Sequence, residues 1–184
     1  MRNLNLENVN EATEYKSVAP GGYICGITKV ENVEGKEYLK VEYDIAEGEF
    51  KNYYRELFAS KNFWGGNFIK SYKEKALPFF KAFITAVQNS NNGFVFNNDE
   101  KLLVRKMVGL VLAEEQYQAN DGNIKTRLYV AQVHSISKIR SGDFVVPAMK
   151  MMNGSINIEK AAPGINADGF YPIDETVEDG DLPF

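Results

Sequence analysis

Residues 38–45 alternate cleanly, with Leu39, Val41, Tyr43 and Ile45 on one face and Tyr38, Lys40, Glu42 and Asp44 on the other. This period of two predicts a half-buried β-strand. Residues 23–30 form an apolar, β-rich run that predicts a strand before it, with Gly26 placed for a bulge or bend and Glu34-Gly35 for the turn between the two. Gly48 opens a predicted return strand over residues 49–58. Residues 59–70 keep neither period and contain Gly65-Gly66, so they predict a loop, an unusually aromatic one. Ser71 and Glu74 have capping-box spacing, Pro78 suits a first helical turn, and Phe80, Phe83, Ile84 and Val87 recur at helical intervals until Asn91-Asn92-Gly93. Two β-like runs follow, 102–117, which Gly109 is expected to bend, and 125–137, with Asp121-Gly122 as the turn between them.

The predicted order is three strands, a helix and two strands. It is the order of a mainly β, five-stranded OB-fold barrel with one helix between strands 3 and 4; a small α+β sandwich shares the inventory. Residues 1–19 are polar and aperiodic and predict an N-terminal arm that can dock on the core but does not found it, closed by Pro20-Gly21-Gly22. The barrel domain is assigned to residues 20–147, a linker to 148–164, and a disordered acidic tail to 165–184.

Charge changes the picture once it is divided. The net charge is -4, yet Asp168, Asp174, Glu175, Glu178, Asp179 and Asp181 fall in the last twenty residues, which contain no Lys or Arg. The rest of the chain holds all 21 basic side chains against the remaining 19 acids, so the body is about +2 and the tail -6. Residues 51–81 concentrate the positive charge, with Lys51, Arg55, Lys61, Lys70, Lys73, Lys75 and Lys81 against Glu56 and Glu74. A basic stripe interleaved with rings suits a single nucleic-acid strand, which offers a phosphate and an exposed base face at every nucleotide.

OB-folds grip single strands with strands 2 and 3 and with the loops joining strands 1–2 and 4–5. The alternation predicts Lys51, Tyr53 and Arg55 on one face of strand 3, continued by Tyr38 and Lys40 on strand 2. Phe63 and Trp64 follow beside two glycines that could admit a nucleic-acid backbone, and Lys125 and Arg127 close the groove beside the strand 4–5 turn. Each has a plainer reading: strand aromatics are most often core, loop rings often fold back, and single lysines are usually solvated.

Catalysis finds little support. Cys25 lies in an apolar run, the single histidine, His134, has no surrounding motif, and the two together cannot make a usual zinc ligand set. Glu114-Glu115 and Asp99-Glu100-Lys101 read as solvated strand ends or turns, and there is no phosphate-binding glycine loop. No enzyme activity, cofactor or metal is expected. The first thirty residues lack a signal-like apolar run and no stretch is long enough to span a membrane, which predicts a soluble, cytoplasmic protein.

The chain ends Glu178-Asp179-Gly180-Asp181-Leu182-Pro183-Phe184. This resembles the C-terminal tip of bacterial single-stranded DNA-binding proteins, in which acids precede an aliphatic residue, proline and a terminal phenylalanine. The resemblance implies that Phe184 enters an apolar pocket on a partner, that its carboxylate and Asp179 and Asp181 meet basic groups there, and that Leu182 and Pro183 complete the anchor. Gly180 departs from the unbroken acid run. The body is similar to phage and prophage replication-module single-strand binding proteins over roughly 12–150. The carrying segments are Pro20-Gly21-Gly22-Tyr23, Trp64-Gly65-Gly66, Lys75-Ala76-Leu77, Phe80-Lys81-Ala82-Phe83-Ile84, Asp121-Gly122 and Ile139-Arg140-Ser141-Gly142-Asp143-Phe144.

The resemblance implies sequence-independent binding and protection of single-stranded DNA during phage replication and recombination, in the host cytoplasm. It also implies self-association and recruitment of replication, repair and recombination proteins by the tip. Two alternatives stay open: a strand-annealing or recombination-mediator protein, and an OB-fold adaptor that binds a protein rather than DNA.

Overall fold

A computed structural model describes residues 17–152; the first sixteen residues, most of the predicted linker and the whole acidic tail lie outside the described residues. The elements run β1 (Gly21–Val33), β2 (Tyr38–Ile45), α1 (Tyr53–Lys61), β3 (Asn67–Ser71), α2 (Leu77–Ser90), β4 (Met107–Gln118), β5 (Ile124–His134) and α3 (Ile136–Arg140), with short 3-10 turns ahead of β2, α2 and β4. The strands form one antiparallel sheet in the order β3-β2-β1-β4-β5. The fold is therefore mainly β, with helices. The two edge strands come within 8 Å of each other between Cα atoms, yet no ladder joins β3 to β5 among the described residues, and the sheet is not closed.

The alternation in β2 places its side chains as expected. Leu39, Val41, Tyr43 and Ile45 are buried with Cys25 and Ile27 of β1, Phe68 of β3 and Val108, Leu110 and Leu112 of β4. α2 lays Phe83, Ile84 and Val87 onto this face, with Phe80 packed at the margin. Each such side chain removed from water contributes roughly 1.5–3 kcal/mol. Val18, at the end of the stretch read as a docking arm, is also a buried member of this cluster. Pro78 lies in the first turn of α2, as its fixed φ favours, but Ser71 makes no capping box. Its Oγ accepts the Lys73 N–H at 3.2 Å, ahead of the 3-10 turn. At the other end Asn91 ties the helix to β4, donating from Nδ2 to the carbonyls of Val87 and Met107 and accepting the Met107 N–H.

The third strand is not where the pattern placed it. Residues 53–61 are helical, and β3 is formed by Asn67–Ser71, at the end of the predicted loop. The cause is a contact across sequence. Asn52 turns the chain at φ +64°, and the Asp44 carboxylate, reaching from the end of β2, accepts the Tyr54 N–H at 2.9 Å. A remote acid thus does the work of an N-cap, while Tyr54 is buried with Tyr43 at an edge-to-face ring distance of 5.3 Å. Lys51, Tyr53 and Arg55 consequently do not share a strand face.

Smaller departures also have local reasons. The β1 irregularity falls between Ile27 and Lys29, while Gly26 keeps regular register with Asp44. The run predicted from residue 102 becomes a strand only at Met107, after a 3-10 turn and Arg105 at φ +68°. Gly109 stays in the ladder between Ile24 and His134 and leaves room for Ile139 of α3, where a Cβ would collide. The last predicted strand stops at His134, and α3 follows.

α3 and the chain beyond it cover the second face of the sheet. The Phe144 ring lies directly on Gly22, so the Pro20–Tyr23 and Ile139–Phe144 segments are packing partners. Beneath this cover Ile24, Val111 and Ala113 are buried. Lys150, in the stretch read as linker, still joins the sheet, with its N–H donating to Glu114 O at 3.0 Å and its carbonyl accepting the Gln116 N–H at 2.8 Å.

Candidate nucleic-acid interface

Strand direction decides which predicted residues can act together. β1 runs antiparallel to both β2 and β4, pairing Cys25 with Ile45 and Gly21 with Leu112. The connection leaving β2 and the β4–β5 hairpin therefore emerge at the same end of the sheet. Lys51, Tyr53, Arg55, Phe63 and Trp64 belong to the first, Lys125 and Arg127 to the second. Lys40 does not join them. It pairs with Glu31 towards the β1–β2 turn, on a surface where Lys29 sits 3.6 Å from Glu31 and 3.7 Å from Glu42.

Around α1 the rings divide into packed and exposed. Tyr53 is half-buried between Phe50 and Tyr54, at ring distances of 6.1 and 5.2 Å. Trp64 folds back against Tyr54 and Phe58 and donates Nε1–H to Gly66 O at 3.0 Å. Gly66 is used for packing, since a Cβ there would meet the Tyr43 carbonyl and the Tyr54 ring, so the close approach it permits is by the protein's own chain. Phe63 is 60% exposed and Phe58 48%. Lys51 and Arg55 are exposed and have no ion-pair partner among the described residues, while Glu47 in the preceding turn is held by Arg140 at 2.8 Å.

The β4–β5 hairpin is the more ordered arrangement. Register pairs Tyr117 with Lys125, Glu115 with Arg127 and Ala113 with Tyr129, which puts all six on one face of the hairpin. The Arg127 Nε donates to Glu115 at 2.7 Å while its guanidinium lies 4.8 Å from the Tyr117 ring centre. Lys150, brought beside Glu115 by the returning chain, places its ammonium 4.8 Å from the Tyr129 ring centre. Lys125 is paired with Asp121 at 2.8 Å. Three cations and two rings thus share this patch with Glu115 and, at the turn, Asp121. Burial, with Glu115 nearby, raises the Tyr129 phenol above its ordinary value, so it stays neutral near pH 7.

Tyr117, Tyr129 and Lys150 were not among the residues chosen from sequence. The alternation Lys125-x-Arg127-x-Tyr129 is visible there and could have nominated Tyr129. Lys150 had no such signal, because only the return of the chain along β4 brings it in. Asp179, Asp181, Leu182, Pro183 and Phe184 lie outside the described residues. The sulfur of Cys25 is buried, and burial raises its thiol well above the ordinary range, leaving it an inert core group. Among the described residues no helix is long and apolar enough to cross a membrane.

No protein-family model matches the chain, and no curated protein sequence matches it either.

Proposed function

We propose that the protein binds single-stranded DNA without sequence preference and recruits other DNA-processing proteins through its acidic tip, without catalysis of its own. The observation that carries this reading is the hairpin surface, where Arg127 stacks on Tyr117 and Lys150 on Tyr129. Cations held over flat rings offer a phosphate partner and a stacking partner within one nucleotide's reach. Lys51, Arg55, Phe58 and Phe63 add positive charge and exposed rings at the same end of the sheet. The fold itself we read as an OB barrel open along one seam. Three features support it: the strand order, α2 between β3 and β4, and the approach of the two edge strands.

Anisotropy of a labelled oligothymidine at low salt tests the reading, with duplex DNA and RNA as competitors. Micromolar or tighter binding that favours the single strand, weakened roughly tenfold or more in Tyr117→Ala/Tyr129→Ala, is the expected result. No binding at low salt would leave the protein-adaptor reading in its place. Acceleration of pairing between complementary oligonucleotides would identify the annealing protein instead.

A further inference from the structure

A separate, shallow and open cleft of about 470 Å³ lies where the outer flank of α2 meets the C-terminal end of β5 and the start of α3. It is lined by Lys81 from α2, Lys138 from α3 and His134 from β5, together with the uncharged polar residues Thr85, Asn89 and Ser135. No carboxylate is in the lining. Lys81 has no ion-pair partner among the described residues, and Lys138 meets Asp143 only at 3.8 Å. His134 lies seven residues along β5 from Arg127, roughly 23 Å of strand, so the cleft is distinct from the hairpin surface.

The His134 imidazole, on the Gly109 face of β5 beside Gln132, has a defined orientation. Gln132 donates Nε2–H to the Val145 carbonyl at 3.1 Å, which leaves its Oε1 to accept from His134 Nε2 at 2.8 Å. The neutral ring therefore keeps its proton on Nε2, and a second proton would arrive on Nδ1. Burial and the Lys138 ammonium hold this histidine below its ordinary pKa, with Asp143 acting weakly the other way. Positive charge is concentrated here without an internal counter-ion in the lining.

We propose that this cleft is a phosphate-binding site, taking either a backbone phosphate of a bound strand or the phosphate of a free nucleotide. The two lysines supply charge, and the hydroxyl and amide side chains supply neutral hydrogen bonds. A dianion seated there stabilises the imidazolium, so its binding is linked to proton uptake by His134.

His134 is the only histidine of the chain, so its imidazole resonances give an unambiguous reporter in the full-length protein. Inorganic phosphate, added at constant ionic strength against a chloride control, should shift them saturably and raise the pH at which the ring titrates. Lys81→Gln/Lys138→Gln should weaken that binding at least about tenfold, since both charge-assisted hydrogen-bond donors are removed. Thymidine monophosphate and oligothymidine then separate the sources: tighter coupling to the oligomer assigns a backbone phosphate, tighter coupling to the monomer a nucleotide. A response equal to that of chloride, or none with any of these probes, overturns the proposal. The oligomer arm rests on the DNA-binding reading, whereas the inorganic-phosphate arm does not. Oligothymidine binding with a silent His134 therefore defeats the cleft alone, and a phosphate response without oligomer binding defeats the hairpin reading alone.

Discussion

The Asp44 carboxylate accepts the backbone N–H of Tyr54 at 2.9 Å, ten residues away, and through that bond the end of β2 sets the start of α1. The same oxygen accepts the Ile45 N–H at 2.9 Å. Asp44→Ala removes the acceptor of both bonds from a buried site, and the expected loss of stability is about 1–3 kcal/mol in urea unfolding at pH 7. The helical signal of α1 should fray with it. A change within a few tenths of a kcal/mol would mean that the bond does not hold the helix.

Tyr54 gives a pH dependence with a definite sign. Burial pushes its phenol from 10.0 up to about 12, and burial likewise holds its neighbour Tyr43 well above the ordinary value. The unfolded chain therefore releases these protons first. Their stabilising contribution is complete below pH 10 and is lost as the pH rises towards 12, by roughly 2 kcal/mol for Tyr54. Urea midpoints measured from pH 8 to 11 should fall above pH 10 in the wild-type chain and more gently in Tyr54→Phe. An equal alkaline slope in both would remove Tyr54 as the cause.

Gly22 and Gly109 should resist even one added methyl. At Gly22 the Cβ would enter the Phe144 ring, and at Gly109 it would enter Ile139. Gly22→Ala and Gly109→Ala are each expected to cost about 1–3 kcal/mol by overpacking. Combining Gly22→Ala with Phe144→Ala should cost less than the two single changes added together. Thermal unfolding of the four proteins in that cycle supplies the comparison, and strict additivity would contradict the packing of Phe144 on Gly22.

Lys40 and Arg127, both nominated by sequence as DNA-binding residues, should behave differently. Arg127 lies between Glu115 and the Tyr117 ring on the hairpin, whereas Lys40 stands near the opposite end of the sheet. Arg127→Ala is expected to weaken oligothymidine binding by roughly 5- to 150-fold, the equivalent of 1–3 kcal/mol per stacked base, and to lower the salt slope by about 0.7 for each phosphate that it no longer neutralises. Lys40→Ala should stay within about twofold of wild type, as surface charges outside a site do. The reverse order would move the interface to β2.

The acidic tail should compete with DNA for this surface. The described chain leaves the sheet beside the hairpin, where the Met152 N–H donates to Gln116 at 3.4 Å, and the last twenty residues carry six acids and no base. Removing residues 165–184 is expected to strengthen single-strand binding severalfold at low salt, an advantage that fades as added salt shortens the screening length. It should also abolish partner docking. Equal or weaker binding of the truncated chain at low salt would exclude the competition.

Periodicity read directly from the residues located β1, β2, α2 and the β4–β5 hairpin, because burial on one face leaves a signature that depends only on neighbours along the chain. It likewise nominated Phe83, Ile84 and Val87 as core and Lys125 and Arg127 as exposed cations. It misplaced the third strand, since Tyr53 and Arg55 carry an alternation that is overridden by Asp44, a residue from another element. Whether the rings of Trp64 and Tyr53 pack or stay free was left open for the same reason, their packing partners being absent from the local pattern. Lys150 joins Tyr129 only because the chain returns along β4, and Lys81 shares a cleft with His134 and Lys138 only because α2 packs beside the end of β5. What the sequence determined alone is the set of interactions that short-range alternation and charge can encode: most strands, one helix face, and the division of a basic body from an acidic tail. The third strand, the cation–ring surface and the basic cleft were decided by tertiary structure, because each depends on groups from separate elements that only folding brings within a few ångströms.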